Sequence, residues 1–184
     1  MQPLNIALIG FRATGKSTIG EILARRLGMR LIDMDRYLTS EAGRDIATWV
    51  KQEGWDSFRK AESRLLEIIS LEEGLVVAAG GGIVLDPQNR TVLRKHFFTV
   101  WLKAATPTIQ ARLSADPGSP RTRPALSELP MQEEIVKVLS EREPLYSQVA
   151  DIEIDTEEKQ TVRIAEEIIE AMSKTEGGGP KKQN

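Results

Sequence analysis

The chain has 184 residues, with 25 Lys and Arg against 27 Asp and Glu, and its net charge of −2 calls for neither nucleic acid nor an anionic membrane as partner. Hydrophobic residues make up 40% and charged residues 28%, enough for one buried core. Cysteine is absent, which excludes disulfides, thiolate metal sites and thiol nucleophiles, and the single histidine, His96, rules out His-rich zinc sites and leaves one route to a Ser–His–Asp triad.

The opening stretch, MQPLNIALIG, has no basic segment ahead of its apolar run, so it reads as a strand and not as a signal peptide. No apolar run approaches the roughly 18 residues that span a bilayer, and a cytoplasmic protein is expected. The first strand is Asn5–Ile9, followed by a helix from about Lys16 to Leu27 that stops at Gly28. Arg30–Asp33 is a second strand, Leu75–Ala79 a third, Phe98–Leu102 a fourth and Asp151–Asp155 a fifth. Helical patterns fall at about 45–71, 87–95, 106–114, 131–143 and 160–173. Residues 116–124, DPGSPRTRP, read as a loop long enough to move, and EGGGPKKQN at 176–184 as a disordered tail, leaving one domain over 1–175. There is no internal repeat and no sustained heptad.

Short apolar strands separated by helices predict an α/β fold with a parallel five-stranded sheet covered on both faces, three layers in all. In such folds ligands sit beyond the carboxyl ends of the strands. Gly10, Asp33, Asp35 and Gly80–Gly82 all fall there.

Residues 10–17, GFRATGKS, match the phosphate-binding pattern G-x-x-x-x-G-K-[ST] in full. Glycines let backbone N–H groups turn inward around phosphates, and the next helix points its positive end at them. Gly10, Ala13, Thr14, Gly15, Lys16, Ser17 and Thr18 are therefore expected at a nucleoside triphosphate, with Lys16 on the β- and γ-phosphates and Ser17 on Mg²⁺. Neither D-x-x-G nor N-K-x-D occurs, so the donor expected is ATP rather than GTP.

Asp33 and Asp35 lie two apart, so on an extended segment both carboxylates face one cleft. One can hold Mg²⁺ through water and the other orient an attacking hydroxyl; the plain alternative is a pair of surface aspartates capping a helix near Arg36. Arg59 lies on a long amphipathic helix and Arg142 at a helix end broken by Pro144. Each is either a carboxylate clamp or a solvated arginine paired with a neighbouring glutamate. Arg123, in the Pro-rich loop, is a lid arginine or a solubilising charge. Gly80, Gly81 and Gly82 form either a flexible turn or a place where backbone must come close to something else.

Together these motifs resemble one family, shikimate kinase, a small member of the nucleoside-monophosphate-kinase-like P-loop group. The likeness runs from about Asn5 to Ile169 and rests on GFRATGKST, Asp33 and Asp35, Gly43-Arg44-x-Ile46 with Phe58-Arg59-x-x-Glu62, the triple glycine, Arg123-Pro124 and Arg142-x-Pro144-Leu145-Tyr146. The resemblance implies a P-loop kinase fold with a lid at about 112–125 and a substrate-binding helical region at about 34–62. It implies transfer of phosphate from ATP to the 3-hydroxyl of shikimate, on the route to chorismate and the aromatic amino acids. Lys16 and Ser17 would serve ATP and Mg²⁺, with Asp33 helping to place the metal. Asp35 would orient or deprotonate the hydroxyl, and Arg59 and Arg142 would hold the carboxylate. Arg123 would cover the phosphates and Arg112 flank the adenine. In the family the residue matching Gly81 presents backbone to the ring, where a Cβ would occupy the ring's volume.

Three positions depart from the family pattern: Ala13 where a further glycine is common, Val50 where many relatives place an aromatic ring that Trp49 or Trp55 could supply instead, and Ala125 where a bulkier residue is usual. Two rivals remain at this level, a kinase for another small hydroxylated acceptor such as gluconate or a nucleoside monophosphate, and an inactive ATP-binding regulatory module. A monomer is expected, since no long exposed apolar stretch asks for a partner.

Overall fold

A computed structural model of the chain describes residues 5–116 and 124–176. Five strands, β1 (Asn5–Ile9), β2 (Arg30–Asp33), β3 (Leu75–Ala78), β4 (Phe97–Lys103) and β5 (Ile152–Asp155), form one sheet in the order β2-β3-β1-β4-β5, every pair parallel. The expected α/β architecture is the observed one. The central strands β1 and β3 are buried along their whole length, as strands covered on both faces must be, while the edge strands β2 and β5 carry exposed residues.

Seven helices surround the sheet among the described residues: α1 (Lys16–Leu27), α2 (Met34–Ala42), α3 (Ile46–Ile69), α4 (Pro87–His96), α5 (Thr106–Ala115), α6 (Met131–Val149) and α7 (Thr161–Glu176). Ile19 and Leu23 of α1 and Ile164 and Ile168 of α7 pack on Ile6, Leu8, Val76, Phe98 and Val100, one face of the sheet. Leu65, Leu66 and Ile69 of α3, Leu93 of α4 and Tyr146 of α6 pack on Ala7, Ile9, Val77, Phe97 and Trp101, the other face. A smaller cluster of Phe11, Ile109, Leu113, Ile135 and Val138 seats the loop after β1 against α5 and α6.

Four local readings need correction. Asp35 is not on an extended segment; Asp33 ends β2 and caps α2, its side chain accepting from the Arg36 amide, and Asp35 stands in the first helical turn. The helix expected over 45–71 is interrupted at Gly54 (φ 79°, ψ 167°), a conformation glycine adopts without steric cost. Helix α6 does not end near Pro144 but runs to Val149, because Tyr146 and Val149 are buried and their packing outweighs the proline's lost hydrogen bond. Residues 112–115, counted with the lid, are still α5, and Glu176, counted with the tail, still belongs to α7. The remainder of the tail and residues 117–123 of the lid lie outside the described residues.

Candidate active site

The chain between β1 and α1 builds a cradle. Gly10 has φ 135° and Gly15 φ 93°, both in the region that favours glycine, and a Cβ on Gly10 would overlap the carbonyl of Leu102 on β4. Ala13 also takes a left-handed angle, φ 62°, which an L-residue holds only at a cost. The buried Thr14 hydroxyl donates to the Phe11 carbonyl (2.9 Å), closing the loop on itself. Lys16 Nζ donates to the carbonyls of Gly10 (2.9 Å) and Phe11 (2.7 Å), so its ammonium is held over the cradle. Ser17 Oγ donates to Asp33 Oδ2 at 2.5 Å, bringing the hydroxyl and carboxylate expected at Mg²⁺ into contact.

Ala13, Thr14, Gly15, Lys16, Ser17, Thr18, Asp33, Asp35 and Arg112 all line one cavity of ≈ 410 Å³. Arg112 is tethered there by a bond to the Ala13 carbonyl (3.0 Å). The far end is walled by Thr156, Lys159 and Thr161, between β5 and α7, which the sequence reading missed although they follow the carboxyl end of a strand.

A second, narrow cavity of ≈ 50 Å³ is lined by Arg12, Asp35, Trp55, Phe58, Arg59, Glu62, Gly80–Gly82, Pro124, Leu126 and Arg142, and Phe11 and Ile46 complete it. Arg59 and Arg142, 83 residues apart in sequence (142 − 59), meet here with Asp35 and the three glycines. Trp55 supplies the aromatic wall that Val50 lacks, with the Arg59 guanidinium 4.9 Å from its ring centre. Trp49 does not; its indole N–H donates to Ser57 Oγ, and Val50 packs into the core. Ala125 is exposed, and its neighbours Pro124 and Leu126 form the wall. Arg123 lies outside the described residues.

The glycines make room chiefly for protein. A Cβ on Gly80 would overlap the Glu62 carboxylate, and one on Gly82 the Arg59 guanidinium. Only Gly81 has ordinary clearance, 3.4 Å to the Gly10 carbonyl oxygen, and its own carbonyl accepts from Arg142 Nη1 (3.0 Å) and Tyr146 Oη (2.5 Å). Tyr146, pushed up to about 12 by burial, stays protonated as that donor. The glutamate that pairs with Arg59 is Glu62, one helical turn on, so the pairing and the cavity placement of Arg59 are both real. Glu62 is 1% exposed, and its Oε1 has no hydrogen-bond partner. Burial lifts its pKa to about 7, with Asp35 adding to the rise and Arg59 and Arg142 opposing it. Burial also lowers the pKa of Arg142.

Sequence reasoning also missed the mooring of Arg12. Its guanidinium donates to the Pro124 carbonyl (2.9 Å) and to Glu134 Oε1 (2.5 Å), while Glu134 Oε2 accepts the amides of Leu126 and Ser127. Among the described residues no group of three or more His, Cys, Asp or Glu could hold a metal by itself, and no helix is long and apolar enough to cross a membrane.

Known proteins match this chain over most of its length. A family model for shikimate kinase matches residues 12–173. A shikimate kinase of Nitratidesulfovibrio vulgaris is 44% identical over 79% of this chain and 82% of its own length, and shikimate kinase 2 of Yersinia enterocolitica is 41% identical over 82% and 85%. The solved structure of the Acinetobacter baumannii shikimate kinase in complex with shikimate superposes with a TM-score of 0.88 at 28% identity, covering 94% of each chain. A match that spans nearly the whole domain, in both sequence and structure, shows that the chain belongs to the shikimate kinase family.

Proposed function

We propose that this protein transfers the γ-phosphoryl group of ATP to the 3-hydroxyl of shikimate. The observation that carries the reading is that the two cavities meet: Arg12, Asp35 and Gly81 line both. A terminal phosphate in the cradle and a hydroxyl in the second cavity would approach one another beside Asp35, and phosphoryl transfer depends chiefly on such positioning.

The chain's own groups have distinct tasks. The amides of residues 13–18 and Lys16 would bind the phosphates, and Arg112 with Thr156, Lys159 and Thr161 would receive the base. Asp35 would orient the hydroxyl and take its proton. Arg59 and Arg142 would grip the acceptor's carboxylate, the planar guanidinium being suited to that group. The helical region of about 34–62, which brings Asp35, Ile46, Trp55, Phe58, Arg59 and Glu62 to the second cavity, would serve as the acceptor-binding part of a single domain, and Arg123 would cover the phosphates.

The donor set near the phosphates fits Mg²⁺: one hydroxyl and one carboxylate, both hard oxygens, with phosphate oxygens and water to complete the shell. Ser17 and Asp33 would hold the ion, which when bound neutralises charge on the β- and γ-oxygens. The charged positions that an idle ATP-binding module would be free to lose, Lys16, Asp35, Arg59 and Arg142, are all present and all at the cavities. The enzyme would act as a cytoplasmic monomer on small molecules.

The test is ADP release by the purified protein with shikimate, with gluconate and with a nucleoside monophosphate, each with and without Mg²⁺. Turnover confined to shikimate and dependent on Mg²⁺ is expected. Equal or faster turnover with another acceptor would overturn the assignment.

A further inference from the structure

With Glu62 ionised, the second cavity holds balanced charge before any acceptor arrives. Arg59 on α3 and Arg142 on α6 face Glu62, also on α3, and Asp35 on α2; Arg12 reaches the same space from the cradle but is paired with Glu134. Tyr146 on α6 stays neutral, and the turn after β3 contributes only the backbone of Gly80–Gly82. A carboxylate entering this space adds an uncompensated negative charge where solvent is scarce, which is unfavourable unless a positive charge arrives or a negative one is removed.

Glu62 is placed to remove one. Its Oε2 accepts from the Arg59 guanidinium, the group the acceptor's carboxylate needs, so the two carboxylates compete for one partner. Its Oε1 is buried without a hydrogen-bond partner, beside the place where Gly80 lacks a side chain. That oxygen can take a proton without breaking any bond, and doing so leaves Arg59 more available. The Glu62 side chain is almost wholly shielded from water, so little solvent screens the group.

We infer that Glu62 is a proton-coupled positioning residue: the acceptor's carboxylate is bound together with one proton, taken from solvent onto Glu62 Oε1. The inference rests on the reading of shikimate as acceptor. The free protein's Glu62 titrates near 7, and a bound carboxylate raises that further. Below the free value Glu62 is already protonated and affinity is full. Above it, each binding event draws in a proton, and affinity falls by up to about ten-fold per pH unit until the bound value is reached.

The experiment is calorimetric titration of the whole chain with shikimate, ATP absent, between about pH 6 and 8.5 in buffers of different ionisation enthalpy. Proton uptake near zero at the acid end, rising toward one proton per shikimate above pH 7, with Kd weakening over the same range, supports the inference. Glu62→Gln should bind with no uptake and a level Kd, an effect that a merely structural contact would not produce. Should that variant not fold, carboxyl-carbon NMR of the unmodified protein serves instead: one glutamate should titrate near pH 7 and move to higher pH when shikimate saturates. Binding without uptake across the range, uptake that persists in Glu62→Gln, or a glutamate spectrum unmoved by shikimate would each overturn it. Failure of shikimate to bind at any pH would overturn the functional reading itself, a result distinct from binding without a proton.

Discussion

Gly80 and Glu62 occupy interlocking volumes: the space a side chain would fill at residue 80 is taken by the carboxylate of residue 62, with Asp35 Oδ1 just beyond at 3.2 Å. The same turn places residue 82 against the Arg59 guanidinium. The two neighbours differ in freedom, since Glu62 is fully buried and the Arg59 side chain is 23% exposed.

That difference predicts an order for alanine substitutions. Gly80→Ala must displace a packed, buried carboxylate and should destabilise by about 1–3 kcal/mol. Gly82→Ala can be met by a swing of Arg59 and should destabilise less while weakening shikimate binding. Gly81→Ala has clearance in the fold and should leave stability nearly unchanged. Urea unfolding of the three variants checks the order, and equal losses at 80 and 81 would contradict it.

The Ser17–Asp33 contact predicts the metal requirement. Asp33→Asn keeps the size and the cap on α2 but removes a charge from the Mg²⁺ donors, so the Mg²⁺ needed for half-maximal activity should rise by roughly 10- to 100-fold. A variant with an unaltered Mg²⁺ curve would remove Asp33 from the metal site.

Lys16 and Arg59 should separate kinetically. Lys16 sits at the cradle, so Lys16→Met should lower kcat by about 10²–10³-fold through lost charge stabilisation. Arg59 lies in the acceptor cavity, so Arg59→Ala should raise the shikimate KM by roughly 10- to 100-fold, the loss expected for a charged hydrogen bond. Steady-state kinetics with each substrate varied in turn would show the split. An unchanged shikimate KM in Arg59→Ala would discard the clamp.

Much of this was legible in the sequence because it is local. The cradle, the five strands and the placement of functional residues at strand ends follow from short motifs and from the run of buried residues in each strand. Arg59 and Arg142 could be named, but their meeting depends on α3 and α6 both covering one sheet face, which no local pattern fixes. Asp35 lines the cavity for a reason other than the expected one, since helix α2 rather than strand alternation places it there. Pro144 misled because local propensity gave way to the burial of Tyr146 and Val149. Glu134 could not be found at all: its four partners, Arg12, Leu126 and the amide and hydroxyl of Ser127, are joined to it only by the fold.

That buried carboxylate carries a stability prediction. The Glu134 side chain is 6% exposed and the Arg12 side chain 14%, and removing one member of a buried pair leaves the other charge uncompensated. Glu134→Ala should therefore destabilise by about 3–5 kcal/mol, read from urea unfolding. Because Arg12 belongs to the cradle, saturating ATP should recover part of the loss; a variant within about 0.5 kcal/mol of the parent would show the pair to be dispensable.

Glu62 should leave its mark on stability as well as on binding. Its pKa is raised from 4.5 to about 7 in the folded chain, so between these values the folded form holds a proton that the unfolded form has released. The resulting stabilisation is fully present below pH 4.5 and is lost as pH rises through about 7. Other carboxylates add slopes of their own, but these are common to the parent and to Glu62→Gln, so the difference between the two proteins isolates this group. From pH 5 to pH 8 the glutamine variant should gain on the parent by on the order of 2 kcal/mol, as the parent comes to bury a charge that glutamine never carries. Parallel curves in urea unfolding across that range would mean that Glu62 is charged throughout, and that Arg59 and Arg142 compensate its burial completely.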